Sequence, residues 1–229
     1  MFFGRHNICK VEDRVLITTD LKFTNICEDV LRANENKTTV LAVFYFEETL
    51  ERFKKSLDER NLRYQILETS RDISNWNFSG TDKLNIFSFE TFISLKGVYT
   101  QTQEKESLPI QKIKIIILEH YPLPEKDKET LALAEIFSVP NCTFTFYVSL
   151  EEPFMKIFGS DKIRMLLEKL GCSEGHVVHP MITAAIAQAQ GKVKQKATGD
   201  EKARSSEAWF HYFCPALYEK LKRTGHSLA

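Results

Sequence analysis

The run Thr39-Val40-Leu41-Ala42-Val43-Phe44-Tyr45-Phe46 constrains this chain more than any other feature. It is apolar at almost every position and rich in β-branched and aromatic side chains. A strand with one wet face would alternate apolar and polar residues; a continuous run fits a strand covered on both faces, as in a parallel sheet. A helix is expected from Glu47 to about Asn61, with Leu50, Phe53 and Leu57 on one face at the 3.6-residue period. Leu62–Leu67 then reads as a second strand, so the segment forms a βαβ unit. Further apolar strands are expected at Leu84–Phe89, Ile113–Leu118 and Cys142–Leu150. A helix should start near Asp20, with Phe23, Ile26, Cys27, Val30 and Leu31 on its inner face, and another should run from Glu125 to Phe137. The polar stretch Thr100–Glu106 reads as a surface loop. The pattern predicts a doubly wound α/β sheet. With 229 residues, 43% of them hydrophobic, the chain can bury a sizeable core.

Beyond Leu150 the pattern turns helical. Ser160 can cap a helix over Asp161–Leu170, and Gly171 can end it. Ile182, Ala185, Ile186, Ala189 and Val193 mark a helix over Met181–Val193. Lys192–Ser206 is polar, and a last amphipathic segment spans Glu207–Lys222 with a break at Pro215. The expected division is an α/β domain over 1–160, a helical continuation over 161–195, and a linker with an aromatic amphipathic tail over 196–229. The tail carries Trp209, Phe210, Tyr212, Phe213, Leu217 and Tyr218. Such a cluster either folds back onto the sheet or the Met181–Val193 helix, or anchors a partner protein, since aromatic side chains dominate binding hot spots.

The 31 basic and 31 acidic side chains balance. That argues against a specific nucleic-acid binder, which needs cations to displace phosphate counterions. No apolar run reaches the length of about 20 residues that spans a bilayer, and the N-terminal residues lack a signal-peptide pattern. The 5 cysteines are scattered without a C-x-x-C pair, which suits a reducing compartment, so the expected location is cytoplasmic. Cys172, His176, His179, His211 and Cys214 are ligand types for zinc but lack paired spacing, so no metal is expected. Cys142 and His120 could supply a thiol and a base, but nothing in the sequence places them together.

The segment Phe146-Tyr147-Val148-Ser149-Leu150-Glu151-Glu152-Pro153-Phe154-Met155-Lys156-Ile157-Phe158-Gly159-Ser160-Asp161-Lys162-Ile163 is similar to a signature of SecA, the preprotein translocase ATPase. In that family a strand of the form F-Y-L-S leads to an acidic pair and then to a stretch like L-M-R-I-F-G-S-D-R-V. The likeness continues through Leu167–Gly171, Glu174-Gly175 and His179-Pro180 to Ala189-Gln190 and Val193. More weakly, Asp13-Arg14-Val15 with Thr18 and Lys22-Phe23 resembles the start of SecA's second nucleotide-binding domain, and Ile115–His120 resembles its I-I-G-T-E-R-H strand end. The resemblance implies a RecA-like parallel sheet flanked by helices, of the helicase C-terminal and SecA second-motor type, followed by a helical extension. The sequence contains no counterpart of the first motor domain.

In SecA this domain contributes a T-N-M-A-G-R-G-T-D loop and a helix bearing Q-L-R-G-R-S-G-R-Q-G to ATP hydrolysis. Phosphoryl transfer depends on such positioned positive charge. Here the matching stretches read Ser88-Phe89-Glu90-Thr91-Phe92 and Glu129-Thr130-Leu131-Ala132-Leu133-Ala134-Glu135-Ile136-Phe137, and no arginine lies between Arg71 and Arg164. Lys126 and Lys128 are the nearby cations, and lysine lacks the bidentate fork. No G-x-x-x-x-G-K-[ST] loop is present. The resemblance and these replacements imply a chain without ATPase activity or cofactor. It would act as an adaptor among the protein subunits of a bacterial secretion machine, brought to the inner membrane face by a partner. A type IV secretion coupling platform is one such setting. The alternatives are a nucleotide sensor that does not hydrolyse and an RNA-binding helicase relic.

Overall fold

The computed structural model describes residues 10–76, 84–102, 112–133, 142–160, 164 and 180–225. In chain order the elements are β1 (Lys10–Leu16), α1 (Thr19–Glu35), β2 (Thr39–Phe44), α2 (Glu47–Asp58), β3 (Tyr64–Leu67), α3 (Ser70–Asn75), β4 (Leu84–Ser88), α4 (Phe89–Thr102), β5 (Ile113–Ile117), α5 (Pro124–Ala132), β6 (Cys142–Ser149), α6 (Pro153–Ile157), α7 (Pro180–Lys194), α8 (Ser206–Phe213) and α9 (Pro215–Gly225). The six strands form one sheet in the order β1-β6-β5-β2-β4-β3, and every pairing is parallel. With helices on both faces, this is the RecA-like architecture that the sequence implied.

The strand side chains alternate between two apolar layers. On one face Leu41, Val43, Phe87, Ile113, Ile115, Ile117, Phe144 and Phe146 pack with Ile73 of α3 and with Phe92 and Leu95 of α4. On the other, Val40, Ala42, Phe44, Leu84, Ile86, Ile116 and Tyr147 pack with Phe23, Ile26 and Val30 of α1 and with Leu50, Phe53 and Leu57 of α2. All six residues of β2 are buried, as their unbroken apolar run requires. A third cluster caps the carboxyl ends of the strands. It joins Val15, Phe46, Tyr121, Val148, Leu150 and Phe154 to Ile186 and Val193 of α7 and to Trp209, Phe210 and Leu217 of the tail.

Four elements depart from the sequence expectation: the strand β1 and the helices α3, α4 and α6 are not expected from the pattern. The strand β1 is additional, so Cys142–Ser149 is the sixth strand and not the fifth. Its charges at Lys10, Glu12, Asp13 and Arg14 hide a strand pattern, and they are tolerated because β1 lies at the sheet edge. The helix α4 runs through Thr102, so Thr100–Thr102 is its last turn and not the start of a loop. Phe89, Phe92 and Leu95, buried at three-residue intervals, fix that helix to the sheet. The expected helix over Asp161–Leu170, and the end of the one expected to reach Phe137, lie outside the described residues.

Candidate functional site

Ligands of open parallel sheets bind beyond the carboxyl ends of the strands, where helix N-termini present unpaired amides. Here that edge carries a cavity of about 520 Å³. Its walls come from the start of α1 (Thr19, Lys22), the start of α2 (Glu48, Thr49, Arg52), the end of β5 (Glu119, His120), the β6–α6 corner (Glu151, Glu152, Lys156) and the tail (Ser205, Glu207, Lys222).

Three carboxylates of this edge, Glu119, Glu151 and Glu152, are engaged within the chain. One oxygen of Glu119 accepts the backbone N–H groups of Tyr45 (3.0 Å) and Phe46 (3.1 Å), and the other accepts the Thr49 hydroxyl. Those donors belong to the N-terminus of α2, whose N-cap Phe46 supplies no side-chain bond. Glu151 does the same for α1, accepting the Thr19 N–H at 2.9 Å and pairing with Arg164 at 3.1 Å. Glu152 accepts the Ser149 N–H at 2.9 Å and pairs with Lys22 at 2.7 Å. The Lys22 side chain is 2% exposed, so its partner is a condition of its burial. Burial pushes Glu119 up to about 7, against the pull of Lys22 and the Thr49 hydrogen bond. Burial also pushes Glu151 upward, but the Thr19 amide and Arg164 outweigh it and hold the group below the usual carboxylate range.

Beside this cavity lies a buried polar hub. His120 stacks flat on Phe146 (4.4 Å between centroids); its Nδ1 is 2.7 Å from Asp127 and its Nε2 3.1 Å from Asp13. Asp127 also accepts the Tyr45 hydroxyl at 2.9 Å, the Tyr121 N–H at 3.1 Å and the Gln190 amide of α7 at 2.6 Å. Burial alone would lower the imidazole, but the charges and hydrogen bonds of Asp127 and Asp13 raise it to about 10. His120 is therefore an imidazolium at neutral pH with both ring N–H groups donated to carboxylates. Such a ring has neither a lone pair to act as a base nor a proton directed at a ligand.

The stretches that the SecA resemblance aligns with glycine and arginine motifs make structural contacts here. At the β4–α4 corner Ser88 accepts the Thr91 N–H (3.2 Å), Thr91 donates to the Glu68 carbonyl (2.9 Å), and Phe89 and Phe92 are buried. In α5, Asp127 and Thr130 face inward. Lys126 covers the Tyr121 ring at 4.1 Å and lies 4.0 Å from Asp200. Cys142 opens β6 beside Ile113, whereas His120 follows the far end of β5, so the two do not form a thiol–base pair. Of the zinc candidates, Cys172, His176 and His179 lie outside the described residues; His211 is exposed while Cys214 is buried.

The tail folds back over the same edge. Trp209, Phe210 and Leu217 are buried in the chain's own third cluster, Phe213 and Tyr218 are half-buried against it, and Tyr212 is exposed. Asp200 accepts the Tyr121 hydroxyl and the Trp209 indole N–H (2.9 Å), and the Arg204 carbonyl accepts the Glu48 N–H (3.1 Å). Of the six tail residues named as candidate anchors, Tyr212 alone is left largely to solvent. The Asp200 latch, which sequence reasoning missed, had no local signal: its partners lie 79 and 9 residues away.

No protein-family model matches the chain. In sequence it is 25% identical over 193 residues to the protein translocase subunit SecA of Cytophaga hutchinsonii, covering 83% of this chain and 17% of that protein. A shorter stretch is 50% identical over 52 residues to the SecA subunit of Chlorobaculum tepidum, covering 22% of this chain and 5% of that protein. The chain thus resembles SecA across most of its own length while spanning about a sixth (17%) of the Cytophaga relative. Among solved structures, the C-terminal part of the Fun30 ATPase domain aligns with a TM-score of 0.42 at 14% identity, covering 66% of this chain and 47% of that one. No helix among the described residues is long and apolar enough to cross a membrane.

Proposed function

We propose that this chain is a non-catalytic adaptor that works through protein–protein contacts in a protein-secretion machine, with the motor chemistry supplied by another chain. The association with secretion draws on the similarity to SecA. The absence of catalysis draws on one observation: the helix-start amides at the carboxyl edge of the sheet are bonded to the chain's own carboxylates. Glu119 and Glu151 occupy the amides at the starts of α2 and α1, and the tail roofs the cavity. A triphosphate placed there would meet five glutamates, Glu48, Glu119, Glu151, Glu152 and Glu207. Besides His120, whose two N–H groups are held by Asp13 and Asp127, the cations of the wall are Lys22, Arg52, Lys156 and Lys222; Lys22 is already paired with Glu152 and Lys222 with Glu219. Without a positive clamp the γ-phosphate of a nucleotide gains no stabilisation as charge develops.

A second reading, nucleotide sensing without hydrolysis, draws on the cavity's volume and on Arg52 and Lys156 in its wall. Titration calorimetry with ATP and ADP, alongside a phosphate-release assay, tests both readings. The adaptor reading expects neither heat nor turnover. Tight binding without turnover would favour the sensor, and turnover would overturn both. Partner capture from native cytoplasm is better done with point variants than by truncating the tail, because Trp209 and Leu217 belong to the core.

A further inference from the structure

Glu119 sits where the body of the protein meets the tail. It is 4% exposed and holds the entry to α2 through the Tyr45 and Phe46 amides and the Thr49 hydroxyl. The same turn is tied to the tail. Its Glu48 N–H donates to the Arg204 carbonyl at 3.1 Å. Its Phe46 ring stacks on Tyr121 at 5.5 Å, and Tyr121 meets Trp209 edge-on at 5.9 Å. Glu119 also shares the wall of the cavity with Ser205, Ser206, Glu207 and Lys222 of the tail. Lifting the tail would open the space beside Glu119 to bulk water.

The charges that face this carboxyl are mostly committed elsewhere. Lys22 of α1 is drawn to it but pairs with Glu152 at 2.7 Å, so two carboxylates share one buried ammonium. His120, on the same strand end, gives both ring N–H groups to Asp13 and Asp127. The β6–α6 corner adds Lys156 and Glu151, the latter paired with Arg164. From α2 come the exposed Glu48 and Arg52, and from the tail Glu207 and Lys222, the latter paired with Glu219. Burial is the largest cause of the rise of Glu119 to about 7, because the ionised group loses its hydration there. A proton costs little in contacts. One oxygen still accepts the two amides, and the other can donate its proton to the Thr49 oxygen, which reverses that hydrogen bond.

We infer that Glu119 is a proton-operated latch for the tail: protonated, it lets α8 and α9 close over the cavity; ionised, it favours a state in which they lift and water reaches the carboxylate. The latch goes beyond the adaptor reading and does not rest on it. Opening restores ordinary carboxylate ionisation, so opening and proton release are linked. The closed tail is favoured fully below 4.5, and that advantage is lost as pH rises through about 7. These two values limit the change in the opening equilibrium to roughly 300-fold. Near-neutral pH then sets how far the third cluster is uncovered.

Amide hydrogen exchange of the full chain tests this, with rates divided by those of an unstructured chain at each pH. The helix α8 should be less protected than β5, because the tail opens without the sheet. Its protection should fall by about tenfold or more between about pH 5 and 8. In Glu119→Gln, whose amide oxygen can still accept the two N–H groups, α8 should stay equally protected across that range. Glu152→Gln leaves Lys22 to Glu119 and should move the fall to lower pH. His211→Gln removes the imidazole of α8 itself and should leave the fall in place. The latch is overturned if α8 protection does not change with pH, or if it equals that of β5 throughout. A fall that survives Glu119→Gln, or one abolished by His211→Gln, also overturns it. Should Glu119→Gln fail to fold, Glu152→Gln decides: an unshifted fall overturns the latch.

Discussion

Around the six strands, apolar side chains close both faces of the sheet, and neighbouring strands pair through ladders of parallel hydrogen bonds. The tail is held differently. Trp209, Phe210, Cys214 and Leu217 enter the third cluster, and the remaining attachment is polar: Asp200 to Tyr121 and Trp209, the Arg204 carbonyl to the Glu48 amide, and two exposed ion pairs, Lys202 with Glu47 and Arg204 with Glu51. The tail depends on a few specific partners at the carboxyl edge, which is where a motor of this fold would need open space. In this chain the tail lines the cavity at that edge.

That contrast can be broken most forcefully at Trp209. Trp209→Ala removes the largest side chain of the third cluster and should destabilise the protein by about 3–5 kcal/mol in a denaturant melt. If the tail were merely draped on the sheet, the loss would be small. Asp127→Ala comes next. It strips His120 of one counter-charge and Tyr45, Tyr121 and Gln190 of an acceptor, so a loss of roughly 3 kcal/mol is expected, with faster amide exchange in α7.

The pH dependence sharpens the comparison. Glu119 rises from 4.5 when unfolded to about 7 when folded. The folded state therefore binds the extra proton between those values, and its contribution is full below 4.5 and lost as pH rises through 7. His120 rises from 6.5 to about 10, so its contribution is full below 6.5 and lost as pH rises through 10. Both groups destabilise the fold toward alkali, in two windows that overlap only between 6.5 and about 7. Glu119→Gln should flatten the lower window and leave the upper one in place, as read from melts at stepped pH. The smallest effect is expected at the rim. Arg204→Ala breaks an exposed pair with Glu51 and should change stability by less than about 1 kcal/mol.

Much of the sheet was legible because its strands are continuous apolar runs; β2, β4, β5 and β6 begin where the sequence places them and end within two residues of the expected limits. The strand β1 was not, since an edge strand can carry an exposed Lys10 and can pair Arg14 with Glu12 and Asp29, and so lacks the apolar signal that betrays a buried one. The candidate site was half legible. The acidic pair Glu151-Glu152 and the Glu119-His120 strand end stood out by their resemblance to SecA, and the lack of any arginine between Arg71 and Arg164 could be read directly. What could not be read was that Glu119 satisfies α2, or that His120 reaches Asp13 as well as the nearby Asp127, because the contacts of Glu119 with Thr49 and of His120 with Asp13 join residues 70 and 107 positions apart. Tail aromatics show their hydrophobicity in sequence but not their direction; only the packed helix separates Trp209, turned inward, from Tyr212, turned outward.

The central claim is that the sheet's carboxyl edge serves packing and no longer handles a nucleotide. Calorimetric titration of ATP with magnesium into the purified chain, with released phosphate measured in the same samples, tests it most directly. The account predicts a flat titration and no phosphate above the protein-free control. Saturable heat accompanied by steady phosphate release from the chain alone would contradict it.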